Sequence, residues 1–184
     1  MSRLRIFDDQ NGAQPLAEHS DPGAIAEALA PHGVRFERWP THDDIAAGAT
    51  QDAVLARYDG EIARIMADGG YQSCDVVSMT PSNPAASEAR GKFLAEHTHA
   101  EDEVRFFVDG SGLFTLHLGP QVFEILCERG DFLTVPALTK HWFDMGPEPL
   151  FLAIRIFSNP EGWVANFTGN PIAEQFPVSK GEIV

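Results

Sequence analysis

Apolar residues along this chain keep two different periods, and the change from one to the other divides it. After Thr50, the positions Val54, Leu55, Tyr58, Ile62, Ile65 and Met66 recur at helical spacing, which predicts a helix with one apolar stripe, ended by Gly69-Gly70. It is the longest helix expected, laid by that stripe against the outside of a barrel. A shorter helix is predicted from Ala24 to Ala30: Asp21 before Pro22 is an N-cap with proline at the first helical position, and Pro31 and Gly33 stop it. From Phe93 to Phe157 the apolar residues alternate over short segments cut by glycine and proline, the pattern of an antiparallel sandwich or small barrel. Within it Phe114-Leu116-Leu118 and Val122-Phe123-Ile125-Leu126 flank Gly119-Pro120, a hairpin. Leu4, Ile6 and Phe7 read as an edge strand, Val34 to Trp39 and Val76 to Met79 as further strands, and Ala85 to Ala89 as a helical turn. Phe151 to Phe157 supplies an apolar closing strand with Arg155 inside it, and after Pro171 no pattern is distinctive. The expectation is a mainly β fold in one domain, residues 1–184, with N-terminal strands and helices over 1–70, a barrel core over about 71–168, and two or three helices packed outside.

Composition narrows the partners. The chain has 184 residues, 43% of them hydrophobic, with thirteen phenylalanines favouring a β-rich interior. A formal charge of −14 opposes nucleic acid and anionic lipid, both of which need a basic surface. Any anionic substrate must therefore be attracted locally. No run approaches the roughly 18 apolar residues of a membrane span, and Met1-Ser2-Arg3-Leu4-Arg5 does not open a long apolar leader, so a cytoplasmic protein is expected. Cys74 and Cys127 are too few for a disulfide framework and are read as packed thiols.

The candidate chemistry lies between Gly91 and Gly110. His97 and His99 are two apart, so on an extended segment their imidazoles leave the same face, and Glu103 has the same parity. Two imidazoles and a carboxylate are ligands of an open transition-metal site, and the hairpin can return His141 beside them as a fourth. A metal-free barrel whose histidines bond backbone or water is the alternative. Arg105 shares parity with Glu103 and would face a bound anion with a permanent charge, unless it pairs at the surface with Glu101 or Asp102. Glu96 and Asp102 flank the ligands, and either could orient an imidazole by accepting its second N–H or simply be solvated. His117 falls outside this pattern and is read as structural.

Glycine, His-x-His, glutamate and glycine at Gly91, His97, His99, Glu103 and Gly110, followed by Gly130, Pro136 and His141, resemble the two motifs of the cupins. Leu138 stands where glycine is usual in the second motif and Met145 where asparagine is usual. The resemblance implies an antiparallel double-stranded β-helix, the jelly-roll barrel. More of the chain is similar to one subfamily, the bacterial acireductone dioxygenases. Val34-Arg35-Phe36-Glu37-Arg38-Trp39, Gly70-Tyr71-Gln72-Ser73, the segment from Glu96 to Val108, His141-Trp142-Phe143-Asp144-Met145-Gly146, Ile154-Arg155-Ile156-Phe157 and Asn159-Pro160-Glu161-Gly162-Trp163 carry it, and that subfamily shares the departures at Leu138 and Met145. It implies one Fe(II) or Ni(II) per chain, held by His97, His99, Glu103 and His141. It also implies a monomer acting in methionine salvage on a small acireductone and O2. Arg105 would stabilise the substrate dianion, Glu96 would bear on metal incorporation, Asp102 would relay local structural change, and Phe106 and Trp163 would wall the substrate. Two other readings stand beside it: a cupin dioxygenase acting on a thiol or aromatic diol, and a cupin binding or sensor domain that holds a small ligand without turning it over.

Overall fold

The structure, a computed structural model, describes residues 1–159 and 164–176. Strands β1 (Arg3–Asp8) and β2 (Ala17–His19) are followed by α1 (Pro22–Leu29), β3 (Arg35–Arg38), α2 (Gln51–Arg57), α3 (Asp59–Gly69), β4 (Ser73–Met79) and α4 (Ala86–Phe93). The second half is β5 (His97–Thr98), β6 (Glu103–Leu118), β7 (Gln121–Glu128), β8 (Asp131–Val135), β9 (Lys140–Asp144), β10 (Phe151–Phe157) and β11 (Asn166–Phe167), with a 3-10 turn over Pro171–Gln175.

All strand pairs are antiparallel, and the sixteen-residue β6 joins them into two facing layers. Its first half pairs with β8 and β10, which extend to β3 and β4. Its second half pairs with β7 and β9, leading to β1 and β2 on one side and to β5 and β11 on the other. The change of layer falls at Gly110, whose φ of 68° only glycine adopts without strain. Between the layers lies the main core, which includes Phe107, Phe114, Leu116, Phe123, Leu133, Phe143 and Phe151. β6 is buried on both faces. Val104, Phe106 and Val108 alternate outward to meet Val54, Tyr58, Ile62 and Ile65 of the α2–α3 region, so the helical stripe packs outside the barrel as expected.

Several elements differ from the sequence reading. The helix expected after Thr50 is two helices broken at Tyr58, whose backbone (φ −112°, ψ 20°) leaves the helical region while its buried hydroxyl accepts the N–H of His42. Counting α4, four α-helices stand among the described residues rather than two or three. α4 runs through Gly91, Lys92 and Phe93, so the stretch before His97 is helical and only His97–Thr98 is extended. β1 is not an edge strand, because β2 pairs along its outer side. Past Pro171, Asn170 caps the 3-10 turn and Ile172 and Phe176 bury against Phe7, Val122 and Trp142, a third cluster that short-range periodicity does not reveal. Among the described residues no helix is long and apolar enough to cross a membrane.

Candidate metal centre

Register brings the histidines together. His97 on β5 lies opposite His141 on β9, and His141 lies opposite Leu116 on β6. Ring centroids of His97 and His141 are 4.4 Å apart, with His99 at 5.0 Å from each. One nitrogen of each imidazole lies within 4.8 Å of the others, and all three side chains are buried. Which nitrogen is settled by the backbone. Nδ1 of His97, His99 and His141 faces the carbonyls of Ala95, Val164 and Thr139 at 2.8, 2.9 and 2.8 Å. A carbonyl only accepts, so each Nδ1 carries the proton and each Nε2 lone pair is left for the centre of the group.

Glu103 completes the cluster from β6. Its Oε1 accepts from Arg105 Nε at 2.6 Å, and its Oε2 stands 3.0 Å from His141 Nε2 and 3.2 Å from His99 Nε2. Those two approaches miss hydrogen-bond direction: among the described residues Oε2 and His141 Nε2 are buried with no hydrogen-bond partner. Lone pairs converging on one point without a proton between them are what a cation resolves. Charge states agree at His97 and Glu103, while at His99 a metal competes with a proton. Burial, with His141 beside it, pushes the His97 imidazole down to about 4. Burial favours the neutral form of Glu103 too, but Arg105 and His141 outweigh it and hold the carboxyl well below the usual range. For His99 burial pulls downward and Glu103 more than offsets it, so its imidazole is raised. Neutral nitrogen and anionic oxygen donors suit a divalent transition metal.

The group opens on a cavity of about 430 Å³. Arg105, Lys92 and Arg155 give it cationic character, and Phe93, Phe143, Ala165 and Phe167 give it apolar walls. Arg105 is 5% exposed and its guanidinium carbon lies 4.8 Å from the centroid of the Phe143 ring. Arg155 is its direct cross-strand partner and is gripped through two nitrogens by Asp75, at 2.7 and 2.6 Å.

The model of the ARD/ARD' family matches residues 3–165. An acireductone dioxygenase of Cronobacter sakazakii is 56% identical over 177 residues, 96% of this chain and 98% of the relative. One of Synechococcus sp. (strain RCC307) is 51% identical over 182 residues, covering 97% and 98%. The chain belongs to the ARD/ARD' family. A solved acireductone dioxygenase from Bacillus anthracis, with a cadmium ion in its active center, shares the fold with a TM-score of 0.78 and 30% identity, over 91% of this chain and 98% of that one. Like that ARD structure, the chain is a cupin, and its three-histidine group is a site for a divalent metal.

Not every residue singled out by sequence sits at this ARD site. Phe106 is corrected: it is 1% exposed, packs 5.5 Å from the rings of Trp39 and Tyr58 on the helical side, and does not line the cavity. Parity is the reason, since an even position on β6 before Gly110 points away from Glu103 and Arg105. Trp163 lies outside the described residues. Glu96 binds no ligand imidazole through its hydrogen bonds; it meets His117 Nδ1 at 2.6 Å and the hydroxyl of Thr168. The orienting role, one of the two alternatives for it, belongs to backbone carbonyls. Asp102 accepts the N–H of Ala137 at 2.9 Å and so fixes the turn leading to His141. The sequence reading missed Phe93, Phe143, Lys92, Arg155 and Phe167 as cavity residues. For Arg155 a signal existed, a lone guanidinium within an otherwise apolar strand.

Proposed function

We propose that this chain is an acireductone dioxygenase of methionine salvage, cleaving 1,2-dihydroxy-5-(methylthio)pent-1-en-3-one with O2. With Fe(II) the products are formate and 4-methylthio-2-oxobutanoate; with Ni(II) they are formate, carbon monoxide and 3-(methylthio)propanoate. The observation that carries this is one cavity in which three imidazoles, an unbonded carboxylate oxygen and a buried guanidinium share space with phenylalanine walls. His97, His99, Glu103 and His141 would hold the metal. Bound there, it supplies a Lewis acid and a template for two neighbouring substrate oxygens. Nitrogen and carboxylate donors do not exclude either iron or nickel, so metal supply selects the products.

The remaining work falls to the chain itself. The Arg105 guanidinium stabilises the doubly deprotonated enediol, while its bond to Glu103 fixes the direction of that carboxylate. Arg155, held by Asp75, adds a second positive charge on the same wall. Phe93, Phe143 and Phe167 receive the methylthio tail and keep water from the electron-rich substrate. A volume of about 430 Å³ falls in the range of roughly 300–1,000 Å³ usual for small-molecule sites. A single metal ion per chain, a monomer and a cytoplasmic location go with this proposal.

The test is to strip the protein of metal, load it with Fe(II) or Ni(II), supply the acireductone and O2, and assay formate together with the keto acid or carbon monoxide. Absence of both product sets from metal-replete protein rejects the proposal.

A further inference from the structure

Behind the cavity, on the outer face of the layer that carries His97 and His141, a second set of polar side chains gathers around a buried carboxylate. Glu96 is 1% exposed, and its Oε1 accepts from His117 Nδ1 at 2.6 Å. His117 Nε2 lies 3.4 Å from Asp9 Oδ2, and the other oxygen of Glu96 accepts the Thr168 hydroxyl. The Thr168 N–H also donates to the Glu96 carbonyl at 3.1 Å. Thr168 thus ends a short segment, 164–168, that is attached to the barrel from behind.

The same segment faces the site from its other side. Phe167 pairs with His97 and walls the cavity, Ala165 lines it, and the Val164 carbonyl holds His99 Nδ1 at 2.9 Å. Its own pairing is short, since β11 is two residues long and exposed. Two ladder pairs give a strand little stability alone, whereas a buried carboxylate bonded from two directions is costly to open.

The geometry points to His117 as a positioning residue: with Glu96 and Thr168 it forms a clasp that holds 164–168 in place, and so fixes the His99 ring and the Phe167 wall without touching metal or substrate. This rests on the metal reading of the site. It concerns a hydrogen-bonded attachment, and the outer-shell partners of metal ligands commonly change affinity by roughly 10- to 100-fold when lost.

The experiment compares His117→Phe, which keeps a flat ring but has no N–H, with His117→Gln, which can still donate to Glu96. Thr168→Val releases the clasp from the exposed side and serves if His117→Phe does not fold. Val54→Ala, in the helical layer, controls for general loss of stability. In metal-free protein, amide hydrogen exchange at Thr168, whose N–H bonds the Glu96 carbonyl, should speed up at least tenfold in His117→Phe and Thr168→Val, and return most of the way in His117→Gln. The dissociation constant for Ni(II), by competition with a chelator, should rise about tenfold in the same two variants and stay unchanged in Val54→Ala. Folded clasp variants with unaltered exchange and Ni(II) affinity, or a Val54→Ala control that shifts both equally, would overturn the clasp. Failure of the unmodified protein to bind Ni(II) would instead overturn the metal reading, while the exchange measurement still judges the clasp.

Discussion

Leu138 has a φ of 63°, in the left-handed region that costs a residue with a Cβ about 1–2 kcal/mol. The turn is held there because its N–H donates to the His99 carbonyl at 2.8 Å, tying the approach to His141 to the first ligand pair. The side chain is 71% exposed and contributes little packing. Leu138→Gly should therefore gain up to about 1 kcal/mol once the entropy of glycine is subtracted, and Leu138→Val should lose about 1 kcal/mol or more, both read from urea midpoints of metal-free protein. Position 138 was legible as unusual from sequence, since leucine replaces glycine there, but the strained backbone was not. Arg105 calls for a different substitution. Arg105→Lys keeps a charge but loses the planar fork, and a charge-assisted hydrogen bond is worth about 1.5–3 kcal/mol. Metal content by elemental analysis should hold, while kcat/KM for the acireductone falls by about 10- to 100-fold. An unchanged kcat/KM would remove Arg105 from the chemistry. Parity sets Arg105 on the face of Glu103 and, applied one residue further, turns Phe106 away from the cavity.

At the scale of elements, the two glycines that frame the first histidine motif look equivalent in sequence and are not so in structure. Gly110 lies where β6 passes from one layer to the other; its φ is 68°, and a Cβ there would sit 1.9 Å from the Leu150 carbonyl oxygen. Gly91 is inside α4, and a Cβ added there meets nothing within 4 Å. Gly110→Ala should destabilise by about 2–5 kcal/mol, combining left-handed strain with overpacking. Gly91→Ala should stabilise by about 0.5–1 kcal/mol, as in an unobstructed helix interior. Thermal melts of the two variants should move in opposite directions, and a loss of stability in both would contradict this account of α4. The hairpin at Gly119-Pro120 and the capped α1 were readable because their signals are local. The helix break at Tyr58 and the burial of Phe176 were not, because a hydroxyl bond to His42 and a distant cluster with Phe7 decide them.

For the whole molecule, the site is a meeting of remote segments: α4, β5, β6, β9, β10 and residues 164–168 each send a wall or a ligand into one cavity. Four ligand candidates could be read from spacing, since His97, His99 and Glu103 are near neighbours in sequence and His141 follows the hairpin. The walls could not, because only the register of β10 against β6 sets Arg155 beside Arg105. Folding therefore assembles the metal site, and by linkage the metal must stabilise the fold. A divalent ion that binds only the native chain adds about 2.7 kcal/mol at a hundredfold excess over its dissociation constant. At about 2–4 °C per kcal/mol for a chain of this size, the melting temperature should rise by about 5–10 °C on adding Ni(II) and fall back with a chelator. Binding to histidines of the unfolded chain works against this shift, so it is a ceiling. The discriminating variant is His141→Ala. It keeps the other six of seven histidines for any binding to unfolded protein, but it removes the ligand that only the β5–β9 register supplies. A metal-induced rise surviving in that variant would mean that the ion stabilises the chain from somewhere other than the converged imidazoles.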